Sequence, residues 1–287
     1  MSAAVDIGAV RGTLEETLQA WLPRQRWFGG GSAIRALHCE ELTSIADDNP
    51  VVAVAIVAVE HEDGSGARYN IPLAVGSPHE LRPSDPAAII HEDDGTVIFD
   101  ALADARTAAP LWRVIADGHS TQLQGGRLVV GGGGLDSSIT DIGPLAREQS
   151  NTSLVVGGEH LLKVMRKVVF EPSVELEMTR ALVAAGFEHL APPQAWLHYE
   201  RTDQPHAALL ALAQAYLHNG TEGWTLALTS LRDLYATAAA YSNERSIPAT
   251  SRRGECRRRR CSTDRRGSPS KSSTVQPESV RSTCPRW

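Results

Sequence analysis

The chain has 287 residues, 42% of them hydrophobic, enough to bury one large core or two modest ones. Its net charge of −6 hides an asymmetry: residues 252–287 hold 11 basic and 3 acidic side chains, whereas residues 1–251 hold 17 basic and 31 acidic. An acidic body argues against a nucleic-acid partner, because duplex binding neutralises phosphates with basic side chains. The longest apolar run, Val51 to Val59, is far too short to span a bilayer. Met1 to Gly12 lacks the basic start and apolar stretch of an export signal, so the expected location is cytoplasmic and no membrane partner is expected.

In chain order, the first predicted element is an amphipathic helix with Thr13 as N-cap and Glu16 completing a capping box. Its apolar residues are Leu14, Leu18, Trp21 and Leu22, and Pro23 ends it. After Gly29 to Gly31 come two strands, Val51 to Val59 and Arg68 to Val75, turning at Gly64-Ser65-Gly66. Together they read as a small antiparallel sheet. Residues 99 to 117 are predicted helical and are stopped by Gly118. A short strand, Leu128 to Val130, lies between glycine clusters, and a domain boundary is expected between Gly134 and Pro144.

Beyond that boundary, Ser153 to Val156 and Leu161 to Met165 are predicted to form a hairpin turning at Gly157-Gly158. Glu175 to Ala185 fits a helix closed by Gly186, Ala207 to Tyr216 a buried strand, and Glu222 to Tyr241 a further helix. Hairpin, helix, strand and helix follow one another in the order of a kinase small lobe. Only six of the last 36 residues are apolar, and none is Leu, Ile or Phe, so the tail is expected to be disordered. Its Arg/Ser/Pro/Cys-rich composition reads as an out-of-frame translation; an RNA- or membrane-binding arm around Arg257 to Arg260 is the alternative. The four cysteines show no zinc-site spacing, and no metal site is expected.

The candidate chemistry lies in Gln149-Ser150-Asn151-Thr152-Ser153, followed ten residues after Ser153 by Lys163. A polar loop on a hairpin offers N–H groups and hydroxyls to phosphates, and a lysine on the next strand reaches them as a point charge. Glu177 is the expected carboxylate that holds this lysine, with Glu175 as the second choice. Spacing alone leaves open that Lys163 is an edge-strand charge, that Glu177 lies on a solvated helix face, and that residues 149–153 form an ordinary polar turn. No Walker A loop, HExxH pair or nucleophile elbow occurs.

An ordered set of segments resembles bacterial maltokinases over roughly residues 14–245. They are Trp21 to Phe28, Glu148 to Ser153, Leu162-Lys163-Val164, Glu177 in its helix, Glu222-Gly223-Trp224, and Arg232 to Tyr235. The resemblance implies an α+β fold, with a maltokinase cap subdomain over residues 1–134, a protein-kinase-like small lobe over 135–250, and a basic tail over 251–287. It also implies an ATP- and Mg²⁺-dependent enzyme that phosphorylates the anomeric hydroxyl of maltose to maltose 1-phosphate, for glycogen or α-glucan synthesis. Gln149 to Ser153 would cover the phosphates, Lys163 would contact them, Glu177 would position Lys163, and the backbone of Gln214, Ala215 and Tyr216 would meet adenine. The family's H-G-D-x-H loop, which carries the catalytic base, and its D-F-E magnesium motif do not occur in this sequence. The chain alone is therefore expected to be inactive, as a truncated or frame-shifted form without the large helical lobe. The other readings are a non-catalytic module that docks on trehalose synthase, and a kinase for glucosamine or another sugar.

Overall fold

The structure, a computed structural model, describes residues 7–29, 32–145, 150–218 and 223–244, with side chains up to residue 237. The expected tail and Gln149 lie outside the described residues. Two units are distinguished, residues 1–220 and 221–287.

The first unit opens with α1 (Val10–Trp21), which a 3₁₀ turn over Leu22–Arg24 closes at Pro23. The helix begins one turn earlier than its capping box suggests. Ala9 is the N-cap without a side-chain cap bond, and Thr13 is interior, its carbonyl accepting from the Thr17 hydroxyl at 2.7 Å. Val10 extends the buried face formed by Leu14, Leu18 and Trp21, and packing of that face outweighs the local cap.

Three strands follow and pair antiparallel in order: β1 (Ile34–Ala46), β2 (Val51–His61) and β3 (Gly66–Gly76). Ala53, Ala55 and Val57 of β2 share a core with α1, while Val54 and Ile56 belong to a second core on the other face. Burial on both faces explains why β2 is a continuous apolar run rather than an alternating one. The β2–β3 turn uses Gly64 at φ 81°, a left-handed conformation open to glycine without Cβ strain.

The strands β4 (Ile89–Glu92) and β5 (Val97–Asp100) extend this sheet to the order β1-β2-β3-β5-β4. The helix predicted from residue 99 starts later, as α2 (Ala105–Asp117), because Phe99 is still in a strand. The Asp100 carboxylate accepts from Leu102 N–H to open a 3₁₀ turn, and Asp104 then caps α2 by accepting from Arg106 N–H at 2.9 Å. Gly118, at φ 73°, closes the helix as expected.

The remaining strands are β6 (Thr121–Gln122), β7 (Arg127–Gly132), β8 (Ile142–Leu145), β9 (Asn151–Val156), β10 (His160–Met165), β11 (Lys167–Val168), β12 (Pro193–Glu200) and β13 (Ala208–Ala215). All but β11 form a seven-stranded antiparallel sheet in the order β6-β7-β12-β13-β10-β9-β8. The predicted β9–β10 hairpin turns at Gly157-Gly158, and β13 is the predicted buried strand. Helix α3 (Val174–Ala184) lies between β11 and β12 in the chain. The expected α+β class, with a sheet-rich N-terminal part ahead of a second sheet and its helix, is borne out.

Hydrogen bonding divides the chain differently from composition. Strands β6 and β7 precede residue 134 yet belong to the second sheet, whereas β11 follows it and pairs with Arg68 and Tyr69 of β3. Both sheets and α2 share one core, which joins Val54 and Ile56 to Trp112, Ile115, Leu162 and Ala211. The second unit contributes α4 (Gly223–Glu244), close to the span predicted for the last helix. Among the described residues, no helix is long and apolar enough to cross a membrane.

Candidate functional site

Strand β10 carries the candidate lysine. Its side chains alternate in burial, with Leu162 and Val164 in the shared core and Lys163 on the opposite face. Register places Lys163 across from Ser153 on β9 and Leu212 on β13. The hairpin that precedes it consists of β8 and β9, paired from Ile142–Val156 to Leu145–Ser153. Ser150 is exposed at its tip, while Asn151, Thr152 and Ser153 open β9. Ser153 is buried, and its hydroxyl has no partner among the described residues.

Helix α3 supplies the carboxylate, and it is Glu175 rather than the expected Glu177. Lys163 Nζ donates to Glu175 Oε2 at 2.9 Å and to Oε1 at 3.2 Å. The reason is helical phase. Leu176 is the buried anchor of α3, packed with Leu209 and Leu212, and residues 175 and 177 lie on its two flanks, about 200° apart. The Ser173 cap, accepting from Leu176 N–H at 3.3 Å, fixes where the first turn starts, which turns Glu175 toward β10 and leaves Glu177 exposed. Lys163 is mostly buried and Glu175 is 41% exposed, so the pair adds only about 0–1 kcal/mol of stability. Its consequence is orientation: the ammonium is held at one place, on the face of β10 opposite the shared core.

The expected adenine-binding backbone is already engaged. The N–H of Ala215 donates to Pro192 O at 3.3 Å and that of Tyr216 to Glu159 O at 2.8 Å. The Gln214 side chain donates to Ala191 O. As β13 lies between β12 and β10, its backbone N–H groups face neighbours on both sides. Donors for a base would have to come from beyond Tyr216.

One residue escaped sequence analysis. Arg166, 2% exposed, continues the inward alternation of Leu162 and Val164 and reaches three groups at once. Its Nη2 donates to the Asp100 carboxylate, its Nε donates to Thr152 Oγ1 at 2.8 Å, and its guanidinium lies 4.7 Å from the centroid of the Trp27 ring. A cleft of about 450 Å³ opens beside it, lined by Arg24, Arg26 and Trp27 on one side and by Asn151, Thr152 and Ser153 on the other. The signal was present in the sequence: an arginine at a core-facing register position requires a buried partner.

The segment that holds Trp27 and Asp100 also matches a known domain. Residues 21–104 match the maltokinase N-terminal cap domain. The maltokinase resemblance is thereby borne out over the cap, which runs from the end of α1 to the turn before α2. Solved structures of glucosamine kinase are also similar. One, in complex with glucosamine, ADP and inorganic phosphate, has a TM-score of 0.45 and 19% identity, covering 77% of this chain and 44% of that one. Another, crystal form A, has a TM-score of 0.45 and 20% identity, with 78% and 46% covered. The chain thus spans under half the length of those kinases.

Proposed function

We propose that this chain provides the nucleotide grip of a maltokinase-type sugar kinase, which transfers the γ-phosphate of ATP to the anomeric hydroxyl of maltose. The observation that carries this reading is the Lys163–Glu175 ion pair behind the β8–β9 hairpin, in a chain whose N-terminal part matches the maltokinase cap. In kinases that use a strand lysine, the lysine contacts the nucleotide phosphates and a helix glutamate holds it there. Here β10 supplies the first and α3 the second, in the required order.

The residues present suit a nucleotide. The Lys163 ammonium supplies charge to the phosphate oxygens, and the Ser153 hydroxyl lies across from it in register. ATP supplies the phosphoryl group. Among the described residues, no group of three metal-ligating side chains is found. The base and the magnesium ligands would belong to the large lobe that maltokinases carry. Phosphoryl transfer depends on positioning and charge stabilisation, so the grip alone is expected not to turn over. A cytoplasmic setting and maltose 1-phosphate as a precursor of α-glucan belong to the same reading; a non-catalytic module that docks on trehalose synthase is the alternative.

Titration with a fluorescent ADP analogue tests the proposal. Lys163→Met and Glu175→Gln should each weaken binding about tenfold, the scale of one charge-assisted contact, while Glu177→Gln should leave it unchanged. Binding that ignores Lys163 would refute the reading. Incubation with ATP and maltose should yield no ADP above background.

A further inference from the structure

We infer that Arg166 is a positioning residue through which the cap fixes the hairpin proposed to cover the nucleotide phosphates. In its link to phosphates this rests on the nucleotide reading above; in its link between cap and hairpin it does not. The two faces of β10 do different work. Lys163 points to the face that carries Glu175, and three residues on Arg166 turns to the opposite side.

There its guanidinium joins three separate segments: Asp100 at the end of β5, Trp27 after α1, and Thr152 near the start of β9. Two of these are cap residues, and the third lies in the hairpin. The chain around Arg166 is also stitched to β3. Asn70 N–H donates to Arg166 O at 2.8 Å, the Asn70 side chain donates to Met165 O at 3.2 Å, and Lys167 pairs with Tyr69. The end of β10 is therefore a fixed point of the cap sheet. Among the described residues of the hairpin, Thr152 takes a side-chain hydrogen bond from that point.

A buried arginine is costly to leave unpaired; Asp100 takes the Nη2 donor and Thr152 the Nε donor, while Nη1 has no partner among the described residues. With Asp100 and Trp27 in place, Nε donates to Thr152 Oγ1. A movement of the cap that withdraws Asp100 or Trp27 shifts the guanidinium and with it the bond that Thr152 takes from Nε. Thr152 and Ser153 are successive residues on β9, so a bond to the first sets the position of the second, which lies across from Lys163.

The test uses the full chain and two conservative variants, Thr152→Val, which keeps the shape and removes the acceptor, and Asp100→Asn, which keeps the acceptor and removes the charge. Hydrogen exchange is followed at the backbone amides of 142–145 and 150–156, with β2 amides as a control for the fold. Thr152→Val should speed exchange in the hairpin about tenfold and leave β2 unchanged, with Thr152→Ser restoring protection. Asp100→Asn, more than 25 residues away in sequence, should loosen the same amides. Unchanged hairpin exchange in both variants would overturn the inference.

Binding of the fluorescent ADP analogue separates the two readings. Looser exchange with weaker binding supports both, whereas looser exchange in a chain that never binds nucleotide keeps the link and removes the phosphate role. Should Thr152→Val expose β2 equally, Arg166 is a general structural staple and the positioning role fails.

Discussion

At Cys39 a single residue sets a measurable alkaline limit. Its side chain is fully buried on β1, its thiol donates to Glu41 O at 3.2 Å, and burial pushes its pKa up from 9.0 to about 11. The folded chain therefore keeps a proton that the unfolded chain loses above pH 9, so this contribution is complete below pH 9 and is lost as pH rises toward 11. Two pKa units correspond to about 2–3 kcal/mol. Urea melts at pH 7.5, 9 and 10.5 should show a steeper alkaline fall for the native chain than for Cys39→Ala. Equal slopes would contradict it. Legibility at this scale was uneven. Lys163 could be read because it follows a glycine turn and two leucines, a local pattern. Choosing Glu175 over Glu177 needed the phase of α3 about its axis, which depends on where Leu176 docks. Arg166 neighbours Lys167 in a charged stretch, and only its register shows that it faces the core.

Helix α3 is held by a narrow attachment. Leu176 is its buried side chain, Val174 and Met178 are 68% and 57% exposed, and Arg180 lies over the Trp196 ring at 4.7 Å. Leu176→Ala removes the anchor that phases Glu175, at a cost of about 2–5 kcal/mol for a buried leucine. Because so little else holds the helix, the loss should appear as local opening: amides 177–184 exchange faster while β10 and β13 stay protected. If α3 keeps its protection, exposed-face contacts hold it instead. The same scale explains which strands were unreadable. β13 is a run of eight residues, six of them buried, and stood out, whereas β12 alternates buried Ala195, Leu197 and Tyr199 with half-buried Gln194, Trp196, His198 and Glu200 and has two register shifts. β1 carries three such shifts and mixes charge into a long strand, which blurs its period. The β8 strand contains Gly143 and Pro144, residues that mark turns, and tolerates them as an edge strand.

Across residues 7–218 the two sheets are not independent bodies in sequence. The cap sheet receives β11 from beyond Lys163, and the second sheet receives β6 and β7 from before residue 134. Buried Glu41 of β1 accepts from the N–H groups of Gln124 at 3.1 Å and Gly125 at 2.7 Å, which fastens the β6–β7 turn to the cap. A second tie, Glu40 to Arg68 and Arg201, spans β1, β3 and the residue after β12. Composition pointed to a boundary at 134 because glycines cluster there, but Gly131 and Gly132 serve close approach instead. A Cβ on Gly131 would meet the Trp196 ring at 2.2 Å, and one on Gly132 would meet Gln194 O at 2.3 Å. The glycines mark where β7 packs against β12, not where a domain ends. A fragment of residues 1–134 would leave β7 without β12, α2 without the second sheet, and Val54 and Ile56 without the core they share. That core is the largest apolar cluster among the described residues, so the fragment should show no cooperative unfolding transition, and residues 1–220 should unfold in a single one. Circular dichroism melts of both pieces decide the matter: an independent transition for 1–134 would mean that the cap carries enough core of its own.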